Sequence, residues 1–388
     1  LWGIALCCIG ENIDIGKGMH MGERNNPLMK KMDKWIGCPL LYALGLFHRK
    51  RTVKDVTNVI NPRIAIIKTA GIGDTIVLSA IVDEIKSVYP KSSITWICAA
   101  NNLGMVNALK YKGIDEVFCF EMKSPIKSFK GIKLLGNFDY VLDFAPWARI
   151  NAVISWGLSA KFKAGFKRKK MYRHYVYDAW AEHLDTRHEI DNYREILKIA
   201  GVNIKELIPS FQSNVSSLVE SNYVVFHVYP GGSLSTLKRW SEEKWIDLAK
   251  QINDIYGYRI LFSGGRNDSA ALNGIVSQLS LECVKAVNIA GEYSLQEMIN
   301  VLKNAKAVVS VDTGIMHLAA AAEATLIALL GPTADERWGP LSDKAIVVSS
   351  KEKCSPCISL GFDSVCKKAA CMENISVEMV LDVLKKIL

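Results

Sequence analysis

Residues 63–90 read RIAIIKTAGIGDTIVLSAIVDEIKSVYP, and the architecture follows from this stretch. RIAIIKT (63–69) is a short β-branched run of the length of a buried strand. AGIGD is a glycine turn. Beyond it Ile76, Val77, Ala80, Ile81, Ile85 and Val88 recur at helical spacing, and Pro90 marks the end of the helix. Working outward, SITWICA (93–99), EVFCF (116–120) and YVLDFA (140–145) are expected strands with helical stretches between them. Strand–helix alternation of this kind predicts a parallel sheet with helices on both faces.

The polar, serine-rich stretch NIKELIPSFQSNVSSLVES (203–221) breaks the rhythm, and 206–221 is expected to link two domains. The alternation then restarts: strands at YVVFHVY (223–229), RILFSGG (259–265), KAVNIAG, AVVSVD (307–312), TLIALLG (325–331) and AIVVSS (345–350), with helices between, and a last helix near 376–388. The expected units are an extension at 1–60, a first α/β domain at 61–205 and a second at 222–388. A chain of 388 residues is too long for one ordinary core, which agrees with two domains. Such domains bind ligands at the carboxyl ends of their strands.

The net charge of +9 favours an anionic partner. Residues 1–20 have no basic start and no signal-cleavage pattern; they are expected to be upstream overhang, with Met19, Met21, Met29 and Met32 as alternative starts. Trp35–Phe47 (WIGCPLLYALGLF) is apolar but shorter than the roughly 20 residues that cross a bilayer. Between basic flanks, it either lies on an anionic membrane surface or packs on the first domain.

Several motifs carry chemistry. In KTAGIGDT (68–75), Gly71 and Gly73 shape a turn that offers backbone N–H groups to an anion, and Asp74 either caps the helix or faces the cleft. The motif lacks both the full GxGxxG spacing and the P-loop ending. In HVYPGGSLSTLKRWSEEKW (227–245), Gly232 and Ser233 form a turn that approaches phosphate, and Lys238 follows as a cation for a diphosphate or as a solvated surface lysine. Trp240 and Trp245 read as core. In SVDTGIMHLAAAAEA (310–324), a strand ends at Asp312 and Thr313-Gly314 opens a helix whose N-terminus suits phosphate, with His317 one turn in. Thr333 in GPTADERWGP is within reach of the same ligand or sits in a plain turn.

Cys354, Cys357, Cys366 and Cys371 resemble a zinc set, but the second pair lacks CxxC spacing, so reduced thiols are the favoured reading and no metal is expected. The basic run Lys161, Lys163, Lys167, Arg168, Lys169, Lys170 and Arg173 is either a solvated loop or an acceptor site for a phosphorylated sugar or lipid, with Lys167–Lys170 as the candidates. No nucleic-acid motif accompanies it.

KTAGIGDTIVLSAIVDEIKSVYP resembles the opening of the heptosyltransferases of glycosyltransferase family nine. PGGSLSTLKRWSEEKW, SGGRND, IAGEYSLQEM and VDTGIMHLAAA…LLGPT…RWGP resemble that family's donor-binding half. The resemblance implies a GT-B fold, two Rossmann-like domains facing across a cleft, the first on the acceptor side and the second holding the donor. It implies inverting, metal-independent transfer from a nucleotide sugar, typically ADP-heptose, to a lipopolysaccharide-type glycolipid. Asp74 matches the general base, Lys238 the donor-phosphate lysine, and Asp312, Thr313, Gly314 and His317 the donor block; Ser233, Asp268 and Tyr293 align with further donor contacts. The expected location is cytoplasmic, with peripheral contact at the inner membrane. A nicotinamide oxidoreductase and a non-catalytic nucleotide-sugar-binding paralogue are the rival readings, and another nucleotide sugar is the alternative donor.

Overall fold

Among the described residues, twelve strands build two all-parallel sheets of six. The computed structural model describes residues 31, 33–52, 59–212, 219, 222–232, 234–358, 366 and 368–388. The first sheet contains β1 (Arg63–Ile67), β2 (Ser93–Cys98), β3 (Glu116–Cys119), β4 (Asn137–Asp143), β5 (Ser159–Lys167) and β6 (Ala179–Glu182), in the order β3-β2-β1-β4-β5-β6. The second contains β7 (Tyr223–His227), β8 (Arg259–Ser263), β9 (Ala286–Asn288), β10 (Ala307–Val311), β11 (Leu326–Leu329) and β12 (Ala345–Val348), in the order β12-β11-β10-β7-β8-β9. Read from its own first strand, the second sheet repeats the doubly wound order of the first. Each therefore reverses direction at one place, between β1 and β4 and between β7 and β10, and a crevice opens beyond those carboxyl ends. Lys68 follows β1, and Asp312 follows β10.

The helices are α1 (Gly37–Leu46), α2 (Ile72–Val88), α3 (Ala100–Ala108), α4 (Pro125–Leu134), α5 (Arg149–Gly157), α6 (Glu189–Ile199), α7 (Glu242–Tyr256), α8 (Ser269–Leu281), α9 (Leu295–Lys303), α10 (Gly314–Ala321), α11 (Asp335–Trp338), α12 (Ala370–Glu373) and α13 (Val377–Ile387). The central strands are buried on both faces because helices cover both sides. That is why β1 (RIAII) and β10 (AVVSV) read as nearly continuous apolar runs rather than as alternation. Trp240 and Trp245 lie in the core of the second unit, 2% and 0% exposed, as expected.

Two findings differ from the sequence reading. The basic run is not one loop: 159–167 is a nine-residue strand between β4 and β6. Lys163 is buried within it, its ammonium donating to the carbonyls of Ser155 and Trp156 at 2.7 and 3.0 Å. These are unpaired carbonyls at the end of α5, a place where a cation is favourable. Burial lowers the Lys163 pKa to about 8. Arg173 is wholly buried against Asp143 and Tyr177, so only Lys169 and Lys170 remain as an exposed basic turn. Part of the expected linker belongs to the packed body, since Phe211 is buried and its N–H donates to the Ala321 carbonyl at 2.7 Å. Residues 213–218, 220 and 221 of that linker lie outside the described residues, as do 1–30 of the extension. The segment 37–46 forms α1 and packs on the first unit through Leu41, against Ala152, Val176 and Tyr177.

Candidate active site between the two sheets

The two units meet through the starts of α2 and α10. A Cβ on Gly73 would come within 2.8 Å of the His317 ring, and one on Gly314 within 2.9 Å of Ile72. Two helix N-termini approach this closely only because both positions lack a side chain. Gly71 has φ +85°, and a Cβ there would overlap the Asp74 carboxylate. Gly71 and Gly73, expected to shape a phosphate turn, therefore also have packing reasons to be glycine.

On the first side, Asp74 is held rather than capping. Gly71 is the N-cap of α2, and the Asp74 carboxylate is 2.7 Å from the Lys68 ammonium. The Tyr193 hydroxyl from α6 donates to the same oxygen at 3.2 Å. Lys68 also donates to Tyr193 Oη at 2.8 Å and to the Phe144 carbonyl at 3.3 Å, which ties the ends of β1 and β4 together. Lys68 is buried, whereas the Asp74 side chain remains 14% exposed and can meet a ligand.

On the second side, Lys238 lies 2.6 Å from Asp312, and the Thr333 hydroxyl donates to the same carboxylate oxygen at 2.7 Å. Burial alone would raise the Asp312 pKa. The Lys238 charge and the hydrogen bonds from Lys238 and Thr333 outweigh that and hold it below the ordinary carboxylate value. Thr333 thus reaches the site by fixing Asp312. Thr313 caps α10, its hydroxyl accepting the Ile315 N–H at 3.0 Å. Gly231 and Gly232 face open space, Gly232 at φ +83°, so backbone can approach a ligand there.

His317 is buried near Asp312, His188, Asp74 and Lys238, and its pKa falls to about 4, with burial the main cause. It is neutral at pH 7, a ring able to hydrogen-bond a ligand without adding charge. His227 at the end of β7 is also lowered to about 4 by burial, its Nδ1 lying 2.9 Å from Ser263 Oγ. A histidine depressed in the fold takes up its proton more readily when unfolded. Stability is therefore complete above pH 6.5 and is lost as pH falls toward 4. At about 1.4 kcal/mol per pKa unit, each ring accounts for roughly 3 kcal/mol. Urea unfolding at pH 7 and pH 4.5 is expected to show a steep loss, and replacing His227 with glutamine should flatten it.

The sequence-predicted residues do not all converge. Asp74, Lys238, Asp312, Thr313, Gly314 and His317 gather in the crevice. Asp268 instead closes its own turn, accepting the Gly265 N–H at 2.8 Å. Tyr293 is half-buried against the core beside Tyr223. Ser233 lies outside the described residues. Lys167 pairs with Glu182 at 3.2 Å, and Arg168 grips Asp185 with two bonds of 2.8 and 3.0 Å. Lys169 and Lys170 have exposed side chains. Among the described residues, no group of three or more His, Cys, Asp or Glu side chains is placed to hold a metal ion.

A second network escaped the sequence reading. Arg337, from α11 of the second unit, reaches Asp185 at 2.8 Å and Glu189 at 3.3 Å in the first. His183 lies between Arg168, 2.7 Å from Nδ1, and Glu189, 3.1 Å from Nε2. Since arginine can only donate, Nδ1 accepts and the proton sits on Nε2. Burial would raise the Glu189 pKa, but His183, Lys68 and Arg337 hold the carboxyl far below its ordinary value. His188, whose Nε2 is 3.1 Å from the Gly339 carbonyl, adds another bridge between the units. RWGP was visible as a motif, but not that its arginine would be buried opposite Glu189.

A family model described as glycosyltransferase family 9 (heptosyltransferase) matches residues 131–363, more than half of the chain. Lipopolysaccharide heptosyltransferase 2 of Escherichia coli strain K12 is 38% identical over 120 residues, 31% of this chain and 34% of that protein, so the match spans about a third of that relative's length. The solved structure titled E. coli ADP-heptose lps heptosyltransferase II superposes with a TM-score of 0.66 at 22% identity, covering 84% of this chain and 98% of that one. E. coli heptosyltransferase WaaC with ADP-2-deoxy-2-fluoro heptose superposes with a TM-score of 0.64 at 20% identity, covering 84% and 99%. Both share the two-sheet arrangement found here. The doubly wound twin sheets, the glycine-lined junction and the family match together identify the chain as a member of glycosyltransferase family 9 (heptosyltransferase).

Proposed function

We propose that the protein transfers heptose from ADP-heptose to a lipopolysaccharide core or related glycolipid, by inversion and without a metal. The observation that carries this reading is the apposition of Asp74 and the Lys238–Asp312 pair at the meeting of the two helix starts. The first domain, 61–205, would hold the acceptor and the second, 222–388, the donor, with 206–221 joining them. E. coli heptosyltransferase WaaC, which has the same fold, has been solved with ADP and with ADP-2-deoxy-2-fluoro heptose, which supports the donor.

In this scheme the acceptor hydroxyl attacks the anomeric carbon, and Asp74 takes its proton. The Lys68 ammonium pairs with that carboxylate, and Tyr193 helps fix its orientation. As the sugar–phosphate bond breaks, negative charge grows on the diphosphate. Lys238, anchored by Asp312, and the N-terminus of α10 stabilise that charge. Gly232 and Ser233 would let the turn approach the phosphates, and Asp268 and Tyr293 would serve the donor only at its periphery. The protein would act in the cytoplasm at the inner membrane, where a lipid-linked acceptor is presented; no described helix is long and apolar enough to cross a membrane.

Thermal-shift titration with ADP and ADP-heptose tests the donor. At a ligand concentration a hundred times Kd the native state gains about 2.7 kcal/mol, a readily measured rise in Tm. Lys238→Ala is expected to abolish most of that rise. A well-folded wild type with no shift for any nucleotide sugar would overturn the proposal.

A further inference from the structure

Helix α1 is apolar on both of its faces. The residues turned toward the body, Gly37, Leu41, Leu44 and Gly45, recur at helical spacing, and Leu41 is fully buried. The opposite side carries Trp35, Ile36, Leu40, Tyr42, Leu46 and Phe47, and Trp35, Leu46 and Phe47 are 74%, 72% and 82% exposed. No charged residue interrupts Trp35–Phe47. A surface helix of a water-soluble unit ordinarily turns a polar face outward. A contiguous bare patch of this kind marks a surface that something apolar covers.

The helix is not a loose tail. At its start, the Arg149 N–H donates to Asp33 at 3.0 Å, and the Arg149 guanidinium pairs with the same carboxylate. Beyond its end, His48 Nε2 lies 3.1 Å from Asp178, and the Arg51 N–H donates to Asp178 at 2.8 Å. Both ends are therefore pinned to the first domain, with the apolar side held outward.

The surroundings of the patch are basic. Lys31, Lys34, Arg49 and Lys50 flank the helix, all exposed. The exposed turn carrying Lys169 and Lys170 adjoins its start, because Arg149, which holds Asp33, also donates to the Lys170 carbonyl at 2.9 Å. The only acidic side chain in 31–52 is Asp33, which Arg149 holds. Tyr42 and Tyr172 both pack on Tyr175, at 5.8 and 6.0 Å between ring centroids, and join the patch to the turn. An apolar wedge edged by tyrosine and tryptophan and surrounded by cations fits the interfacial zone of an anionic bilayer. With ten residues the helix is only about 15 Å long, half the hydrocarbon thickness, so it lies in the surface rather than spanning it.

We infer that α1 and the exposed turn at Lys169 and Lys170 form one docking face for an anionic lipid bilayer. Because 168–170 directly follows the carboxyl end of β5, docking brings the acceptor side of the crevice to the lipid surface. The purpose of the face rests on the reading that the acceptor is a glycolipid, but the test of the face does not use turnover.

The experiment is co-sedimentation of the full chain with phosphatidylethanolamine–phosphatidylglycerol vesicles and with phosphatidylcholine vesicles. Wild type is expected to bind the anionic vesicles, and less tightly as salt is raised. The combined variant Trp35→Ser, Leu46→Ser, Phe47→Ser should bind at least about tenfold more weakly. Lys169→Glu and Lys170→Glu should each weaken binding to the anionic vesicles by about fivefold. The serine changes are on exposed side chains, so the variant should keep the wild-type Tm, which separates lost docking from misfolding. Equal sedimentation of wild type and the serine variant would overturn the inference, as would wild type that binds neither vesicle. So would wild type that is a dimer dissociated by the serine changes without vesicle binding, which would give the face to a second copy. An ADP shift measured in parallel keeps the two proposals apart: vesicle binding without it sinks the donor reading alone, and the shift without vesicle binding sinks only the docking face.

Discussion

Asp74→Asn is expected to lower kcat by about 10²–10⁴ while leaving the ADP-induced rise in Tm in place. Asparagine keeps the shape of the side chain and can still hydrogen-bond Tyr193, but it cannot accept the acceptor proton. The proposed donor contacts are on the other sheet, around the Lys238–Asp312 pair, so donor binding should survive. The substitution also takes the counter-charge from Lys68, which is 1% exposed, so some stability is lost as well. Removing one member of a buried ion pair is costly, whereas replacing both is often close to neutral. Lys68→Met combined with Asp74→Asn should therefore recover Tm but not turnover. Full transfer activity in Asp74→Asn would remove this residue from the mechanism, and recovery of activity in the double variant would make the pair structural only.

Arg337→Met is expected to have the largest effect on stability. It takes a guanidinium from Glu189, a carboxylate that is fully buried, and from Asp185. Orphaning a buried charge costs about 3–5 kcal/mol, and the remaining contact with His183 places this case near the lower limit. For a unit of this size that is a fall in Tm of roughly 10 °C. Since Arg337 comes from the second unit and Glu189 from the first, the variant should also loosen the junction, seen as faster amide exchange in α6 and α11. Adding Glu189→Gln removes the stranded charge and should return part of the lost Tm. A single variant that melts with wild type would show that the bridge contributes nothing measurable.

The residues that proved hardest to read are those whose partners are remote. Lys68 stood in plain view in KTAGIGDT beside its ion-pair partner Asp74, yet its other partners come from the end of β4 and from α6, so only the folded sheet order shows that it is buried there. Arg337 and Glu189 are 148 residues apart and meet across two domains. Lys161, Lys163 and Lys167 look like a solvated run because lysine is rarely buried. In the fold, Lys163 goes inward because the end of α5 presents carbonyls for its ammonium, while Lys161 pairs with Asp139 at 2.8 Å on the surface. Local pattern cannot show either destination.

Local features were legible because they are set by neighbours in sequence. The β-branched runs, glycine turns and helical periodicities of 63–90 and of 223 onward determine two doubly wound units. Asp74, Lys238, Asp312 and His317 follow, because each lies in the turn or first helical turns that follow a strand's carboxyl end, where such folds open. Tertiary structure decided what those residues touch: that Asp74 is held by Lys68 and Tyr193 instead of capping its helix, that Asp268 serves its own turn, and that α1 packs inward while keeping an apolar face outward. The reason is physical. Periodicity and turn chemistry act over a few residues, whereas burial of a charge, choice of an ion-pair partner and exposure of a helix face depend on which distant surfaces the sheet order brings together.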